Sequence, residues 1–328
     1  MTGIEDVARA AGVSTATVSR ALSGRGRVSD ATRDRVRGIA ADLGYVASAA
    51  ASGLASGRTS SIGVLLPMLD RWFFAQVLEG IAAVLTPRGY DITLYCVSDE
   101  PAQRAHLLGT SLRRGRVDGL IAVNTPLTAD EVGEVLATGL PVVGLGVTDP
   151  RWATLAVDDV AVARLATEHL LSLGHRRIAH LGAGEATGAD VPSQRRRGFT
   201  AAVADAGGAP EFVPAAYTID GGYRAAREVL AAPDRPSAIF AASDEMAFGA
   251  VFAARELGLS IPRDVAIVGV DGHEQSALFD LTTVEQFPRA QGVRAAETVL
   301  ARLDGASGRP ELPFQLVERG STVAADRA

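Results

Sequence analysis

The chain of 328 residues contains no lysine, has one cysteine, and is poor in aromatic residues, which make up 5% of it. All 32 basic residues are therefore arginine, and we draw no functional conclusion from that fact alone. A single cysteine excludes a disulfide within the chain and is typical of a reducing compartment. Cys96 lies in the apolar run DITLYCV, where we expect a buried strand residue.

Long hydrophobic runs are also missing. No apolar stretch approaches the length of a transmembrane helix, and the first residues lack the basic-then-apolar order of a signal peptide. We therefore expect a cytoplasmic protein. A hydrophobic content of 47% excludes a disordered chain, and the length suits a small module joined to one or two larger domains.

Charge is distributed unevenly along the chain. The first 58 residues contain eight arginines and five acidic residues, whereas the remainder contains 24 arginines and 33 acidic residues. A basic head on an acidic body is typical of a nucleic-acid module attached to a domain that does not bind nucleic acid.

Two short helical patterns joined by a tight turn lie near the start, in the stretch IEDVARAAGVSTATVSRAL. Apolar residues recur at helical spacing in the first pattern, and Gly12 is suited to end it. Ser14 is a favourable N-cap for a second helix that begins at Thr15. This arrangement, followed by a third helical pattern after Ser29, predicts a helix-turn-helix with a minimal three-helix core.

The second helix of this pair has one apolar and one polar face. Val18, Ala21 and Leu22 are placed to pack inward. The opposite face consists of Thr15, Ala16, Thr17, Ser19 and Arg20. Small hydroxyls, an alanine methyl and a guanidinium suit the major groove of DNA, where they reach phosphates and base edges. The alternative is an ordinary surface helix in a helical bundle.

The stretch from Ser48 to Thr59 is rich in alanine and glycine and has no apolar stripe, so as an isolated helix it is marginal. It predicts either a plain linker or a segment that folds only on DNA. In the second case Leu54 enters between base steps in the minor groove.

From Ser61 onward, short strand-like runs alternate with helical segments that end in glycine or proline. The strand-like runs are SIGVLLP, DITLYCV, DGLIAV, PVVGLG, TLAVD, RRIAHLG, PSAIFAAS and DVAIVGV. This alternation predicts parallel sheets covered by helices, with ligands at the carboxyl ends of the strands. The run is too long for one six-stranded sheet, so we expect two similar α/β lobes.

Taken together, these motifs resemble the LacI/GalR (lactose/galactose repressor) family of bacterial transcription regulators over essentially the whole chain. The resemblance is carried by the helix-turn-helix stretch, Leu54 with GRT, FFAQVLEG, VDGLI, GHRRIAHLG, RRRGF, SDEMAFGA, IPRDVAIVGVDG and LTTVEQ. It implies an α/β fold with an N-terminal three-helix head, a hinge helix, and a two-lobed core of two doubly wound parallel sheets, similar to periplasmic sugar-binding proteins.

The domain limits that the resemblance implies are 1–47 for the head, 48–60 for the hinge and 61–328 for the effector-binding core. Within the core, the N-lobe comprises about 61–157 plus 288–318, and the C-lobe about 158–287. The hinge departs from the family pattern at Ala47, where proline is common, and at Ser52 and Gly53, which replace larger or better helix-forming residues.

The resemblance also implies roles for individual residues. In the head, Thr15, Ala16 and Arg20 read bases, Ser14, Thr17 and Ser19 contact phosphates, and Leu54 wedges into the minor groove with its copy from a second subunit. In the core, the residues expected at the effector are Phe73, Phe74, Asp158, Arg195, Tyr217, Asp271 and Gln286. We therefore expect a repressor that binds a pseudo-palindromic operator as a homodimer and responds to an effector between the lobes, without a cofactor, a metal or a membrane.

The chemistry of these residue types favours a carbohydrate, with a nucleoside or purine second. Arginine offers a planar fork of donors and aspartate two acceptor oxygens, which suit sugar hydroxyl pairs or base edges. Phe73 and Phe74 follow the first core strand, where we expect a loop that presents aromatic faces to the ligand, although core packing is the alternative. For Asp271 the alternative is a turn before Gly272.

Two other functions fit parts of the chain. The core alone suits a sugar- or nucleoside-binding protein without a role on DNA. A nucleotide-dependent enzyme is the second alternative, but the glycines at 182, 184 and 188 have the spacing G-x-G-x-x-x-G, which does not match the dinucleotide fingerprint. The five histidines do not show metal-ligand spacing.

Overall fold

The computed structural model describes residues 2–23, 27–45, 58–147, 149–183, 190–305 and 312–322. Most of the predicted hinge, including Leu54, lies outside these ranges, so its predicted helix stays a prediction. Within the described ranges, no helix combines the length and the apolar character needed to cross a membrane.

Three helices form the N-terminal head: α1 (Ile4–Ala11), α2 (Thr15–Ser23) and α3 (Asp30–Asp42). Gly12 ends α1 with φ of 65°, the left-handed conformation that glycine adopts readily. Ser14 accepts a hydrogen bond from the backbone N–H of Thr17 at 3.2 Å, as its N-cap position predicts. The buried core of the head consists of Val7, Ala8, Ala11, Val18, Ala21, Val36 and Ala40. The predicted helix-turn-helix is confirmed.

The first lobe is built on a five-stranded parallel sheet. Its elements are β1 (Ser61–Leu66), α4 (Trp72–Leu85), β2 (Asp91–Cys96), α5 (Pro101–His106), β3 (Gly119–Val123), α6 (Ala129–Leu136), β4 (Val142–Leu145) and β5 (Ala153–Leu155). The strand order is β2-β1-β3-β4-β5. β1 and β3 are buried along their whole length, as continuous apolar runs in a parallel sheet are.

The second lobe is built on a six-stranded sheet. Its elements are α7 (Asp159–Ser172), β6 (Ile178–Gly182), α8 (Val191–Asp205), β7 (Glu211–Pro214), α9 (Ile219–Leu230), β8 (Ala238–Ala241), α10 (Asp244–Glu256), β9 (Ala266–Asp271), β10 (Thr282–Glu285) and β11 (Gln315–Val317). The order is β11-β10-β9-β8-β6-β7, and only β11 runs antiparallel to its neighbour. Without β11, this is the same topology as the first sheet.

The chain passes from one lobe to the other more than once. After β10, helix α11 (Pro288–Leu303) packs against α4 and the first sheet. The chain then adds β11 to the edge of the second sheet. This corrects the expectation that residues 288–318 all belong to the first lobe, because the hydrogen bonds of β11 are made to β10. The remaining domain limits stay predictions.

Two further differences concern burial and unpredicted elements. Cys96 is exposed, not buried, because β2 lies at the edge of its sheet and its alternate side chains face outward. The strands β7, β10 and β11 and the helix α11 were not predicted from the sequence.

Candidate functional site

The carboxyl ends of the parallel strands of both sheets meet at a cavity of about 520 Å³. Its wall includes residues that follow β1, β3 and β4 in the first lobe and β8 in the second, together with the last residue of β9. Apart from β11, both sheets have the order 2-1-3-4-5, in which the reversal of strand order opens a crevice outside the carboxyl ends of the parallel strands. The volume is in the range of small-molecule sites.

Arg195 is the centre of the polar part of this cavity. It extends from α8 and is only 4% exposed. Its Nε donates to Oδ1 of Asp159 at 2.8 Å, and its Nη1 donates to the carbonyl oxygen of Ala242. Nη1 also lies 3.9 Å from Oδ1 of Asp271. Although burial opposes its charge, the adjacent Asp159 carboxylate raises the pKa of Arg195, so the guanidinium stays protonated.

Asp271, the last residue of β9, is held in an unusual state. Its φ is 123°, a backbone conformation that favours glycine and that non-glycine residues adopt at a cost. Burial raises its pKa well above the usual range, and Arg195 opposes this only from 3.9 Å. A buried carboxyl group in a strained position at a cavity is a feature of binding sites more than of turns.

Tyr217 and Gln286 each carry a buried polar atom without a hydrogen-bond partner in the described part of the chain. These atoms are the Tyr217 hydroxyl and the Gln286 Nε2. Burial raises the pKa of Tyr217, so its hydroxyl remains a donor. Because buried polar groups are normally paired, the Tyr217 hydroxyl in the wall of the cavity is placed to donate a hydrogen bond to a bound ligand.

The aromatic side of the cavity is helical. Phe73 and Phe74 lie in the first turn of α4, which corrects the expectation that they belong to a loop. Their rings meet edge to face, with centroids 5.7 Å apart. Phe74 also joins the hydrophobic core while Phe73 is half-buried, and both line the cavity. The two phenylalanines therefore pack against the hydrophobic core and also line the cavity.

Trp72, next to these residues, is not part of this wall. Its ring stacks on His273 of the second lobe, with centroids 4.4 Å apart. Trp72 belongs to the first lobe and His273 to the second, so this contact lies between the lobes. It provides an aromatic connection beside the cavity.

Of the seven residues predicted to bind the effector, five line the cavity: Phe73, Phe74, Arg195, Tyr217 and Asp271. Asp158 and Gln286 are not among the lining residues. Asp158 is exposed and caps α7, accepting from the backbone N–H of Ala161 at 3.0 Å. Its neighbour Asp159 turns inward to Arg195 instead, because the first residue of the helix faces the core.

Several further lining residues were not predicted, among them Asn124, Asp190 and Glu245. Each of these three has a simple sequence signal. Asn124 follows directly after a buried strand, Asp190 precedes Val-Pro as a helix cap, and Glu245 stands at the start of the helix after β8. Polar residues just after buried parallel strands are expected at the site of such a fold.

In the head, α2 presents the predicted polar face. Ser14, Thr15, Ala16 and Arg20 are exposed, and Thr17 and Ser19 are half-buried. Val18 and Ala21 are 0% exposed. The Ser14 and Thr17 hydroxyl oxygens lie 2.9 Å apart. The residues expected to meet DNA therefore share one outward face, while the apolar residues of the same helix form the core.

Comparison with protein families divides the chain as the fold does. Residues 3–48 match the family described as "Bacterial regulatory proteins, lacI family". Residues 167–322 match the family described as "Periplasmic binding protein-like domain". The first match covers the helix-turn-helix, and the second covers most of the second lobe together with α11.

Individual proteins are similar over nearly the whole chain. Catabolite control protein A of Priestia megaterium is 32% identical over 86% of this chain and 87% of its own length. The ribose operon repressor of Halalkalibacterium halodurans is 32% identical over 100% of this chain and 99% of its own. A crystal structure of the lac repressor dimer bound to operator and the anti-inducer ONPF superposes with a TM-score of 0.87, at 28% identity, over 98% and 99% of the two chains.

Proposed function

Because this chain belongs to the lacI family of bacterial regulatory proteins, and is thereby a DNA-binding transcriptional regulator with a small-molecule effector, we propose that it is a repressor that acts as a homodimer. The proposed operator is a pseudo-palindrome, and the proposed effector is a sugar bound between the lobes. One observation carries the proposal for DNA: α2 buries Val18 and Ala21 completely while it exposes Thr15, Ala16 and Arg20.

We assign the direct reading of bases to Thr15, Ala16 and Arg20. An arginine on a recognition helix forms two hydrogen bonds with guanine O6 and N7, and an alanine methyl contacts thymine. Ser14, Thr17 and Ser19 contact phosphates in this proposal, which positions the helix without reading sequence. Leu54, outside the described residues, is the proposed minor-groove wedge.

The small size of the head supports the proposed dimer. One short recognition helix contacts only a few base pairs, so useful affinity and specificity require two heads on two half-sites. A twofold-symmetric protein then selects a twofold-symmetric operator. A protein that binds chromosomal DNA works in the cytoplasm, which is the localisation we propose.

The sugar proposal is supported by the chemistry of the cavity. Phe73 and Phe74 offer aromatic surface, and Arg195, Asp271 and Tyr217 offer donors and acceptors at one end. This combination suits a ring with several hydroxyl groups. The ribose operon repressor is similar over the whole chain, which favours the same class. A nucleoside is the second candidate, since base edges also match an arginine and a carboxyl group.

The two-lobed architecture supports the proposed control of DNA binding by the effector. A ligand that contacts both walls of the cavity favours one arrangement of the lobes, and the first lobe begins directly after the proposed hinge. Binding to one arrangement therefore shifts the population of DNA-competent heads. We propose no catalytic role for the chain.

The test is selection of duplex DNA from a randomised library, followed by affinity measurement. We expect a twofold-symmetric consensus. Arg20→Ala should weaken binding to it by roughly 10- to 100-fold, which corresponds to about 1–3 kcal/mol for an arginine paired with guanine. Arg37→Ala removes the same charge from an exposed position on α3 and is the matched control.

The control variant should weaken binding by less than about threefold, because it lies outside the recognition helix. Selection of no consensus, or equal losses in the two variants, would contradict the proposed role of α2. If no DNA consensus is selected but a small molecule binds in the cavity, the alternative of a binding protein without a role on DNA is favoured.

A further inference from the structure

The cavity between the lobes carries more negative than positive side chains. The charged residues of its described lining are Arg71, Asp99, Asp190, Arg195, Glu245 and Asp271. Two bases therefore face four acids. The described lining therefore carries an excess of carboxyl groups.

Both arginines are already engaged by carboxylates that do not line the cavity. Arg195 donates from Nε to Asp159 at 2.8 Å, and this pair is buried on both sides. Nη1 of Arg71 lies 3.0 Å from Oδ2 of Asp70. Arg195 is thus compensated by a buried carboxylate. The partner of Arg71 is largely exposed, and the Nε of Arg71 is buried without a hydrogen-bond partner in the described part of the chain. One incompletely paired arginine therefore faces the lining carboxylates. The four lining carboxylates remain without an equal number of cations.

The helix ends at the cavity point to the same conclusion. The amino ends of α8 and α10 reach it, and the positive end of a helix dipole would favour a bound anion. Asp190 already occupies the first of these ends, where Oδ1 accepts from the backbone N–H of Ser193 at 2.8 Å. Glu245 lies in the first turn of the second. The protein thus places its own carboxylates where a phosphate group would bind.

Burial of these carboxyl groups makes a further anion costly. Burial raises the pKa of Glu245, although Arg71 across the cavity opposes this shift. Asp271 shows the same effect more strongly. Hydroxyl or ammonium donors would stabilise the ionised form of these carboxyl groups. Another negative charge beside them would destabilise that form and raise their pKa further.

Resting on the proposed function, we propose that the effector is an uncharged or cationic polyhydroxylated compound, and that the cavity rejects sugar phosphates and nucleotides. A phosphate monoester carries a charge of about −1.5 to −2 at pH 7. In a half-buried cavity, repulsion between such a group and several carboxylates is much less screened than in water. Sugar hydroxyls or an amino group supply donors to the same carboxylates.

The experiment uses the full-length protein and a library of neutral mono- and disaccharides, amino sugars, nucleosides and their phosphorylated counterparts. The library is screened by thermal shift, and dissociation constants of the hits are measured by calorimetry without DNA. At least one neutral or amino compound should bind with saturation, and its phosphorylated counterpart should bind at least about 100-fold more weakly. Asp271→Asn should weaken binding of this compound, which would show that the compound binds in the cavity.

Charge reversal tests the assignment of the repulsion. Glu245→Lys should improve binding of the phosphorylated counterpart by at least about tenfold, because it replaces a nearby repulsion by an attraction. Glu228→Lys is the matched control, since Glu228 is exposed on α9 and does not line the cavity. This control should leave both dissociation constants within about twofold of the wild type.

A phosphorylated compound that binds as tightly as its neutral counterpart would overturn this inference, and so would a library without any saturable cavity ligand. Neither result concerns operator binding, which is measured separately on selected DNA. Conversely, a neutral ligand in a protein that selects no DNA would leave this inference in place and remove the proposed regulator function.

Discussion

His180 shows how one buried side chain links the stability of this protein to pH. The residue lies on β6 and is 1% exposed. Its ring stacks on Phe240 with centroids 4.5 Å apart, and its Nδ1 lies 3.1 Å from the carbonyl oxygen of Phe240. Burial lowers its pKa to about 3, so the folded protein holds the imidazole neutral.

We predict that this histidine destabilises the protein as the pH falls. The unfolded chain takes up a proton near pH 6.5 and the folded chain only near pH 3, so stability falls with pH throughout this window. Between pH 6.5 and 5 the wild type should lose about 2 kcal/mol of unfolding free energy relative to His180→Phe. Denaturant unfolding at several pH values measures the difference.

The control for this prediction is His106→Phe, because His106 is exposed at the end of α5. It should show the same pH dependence as the wild type. A His180→Phe protein whose stability follows the wild type from pH 6.5 to 5 would show that His180 does not titrate as proposed.

At the scale of elements, glycines set how closely the helices pack. A Cβ on Gly80 of α4 would overlap the carbonyl oxygen of Arg289 on α11, and a Cβ on Gly292 of α11 would overlap that of Val77 on α4. The second lobe repeats this arrangement: Gly222 of α9 and Gly249 of α10 each face the backbone of the other helix. In both lobes two helices approach to backbone contact through a pair of glycines.

Gly80→Ala should therefore destabilise the first lobe by about 2 kcal/mol, because the added methyl group forces two packed helices apart. Gly133→Ala in α6 is the matched control, since no atom lies within 4 Å of a Cβ built there. That substitution should stabilise the protein by about 0.5–1 kcal/mol, because alanine is the better helix former. Thermal unfolding of both variants distinguishes the effects, and a stabilised Gly80→Ala protein would refute the packing argument.

At the scale of the whole molecule, we propose that the effector site and the operator site act on one another through the arrangement of the lobes. In the proposed mechanism the effector binds one arrangement more tightly, and the operator binds one arrangement more tightly. Coupling between two sites is reciprocal. The factor by which saturating effector changes operator affinity must equal the factor by which operator changes effector affinity.

We predict a factor of about 5–150, the usual range for such coupling. Operator affinity is measured with and without the cavity ligand, and ligand affinity with and without the selected operator. Asp271→Asn should abolish the response to ligand while leaving the ligand-free operator affinity within about twofold of the wild type. Unequal factors would show that the ligand does not act through binding alone, and a factor of one would remove the allosteric part of the proposal.

Much of the fold was predictable because its strands are buried on both sides. Runs such as SIGVLLP and DGLIAV are continuously apolar and end at turn residues, so their limits were predicted to within one or two residues. β10 was missed because half of it is threonine. Thr283 lies fully buried and donates to Asp244 at 2.7 Å, a contact that no local pattern shows. α11 was missed because its buried face consists mainly of small residues.

The sequence by itself determined the helix-turn-helix, the alternation of strands and helices, and the residue types at the cavity. Caps, turns and apolar periodicity act over a few residues, so they can be predicted locally. Only the tertiary structure decided that Asp159, not Asp158, pairs with Arg195, and that the described lining of the cavity contains two arginines and four carboxyl groups. Those facts depend on the directions in which side chains from distant segments point. The packing of the chain sets these directions, and sequence spacing does not reveal them.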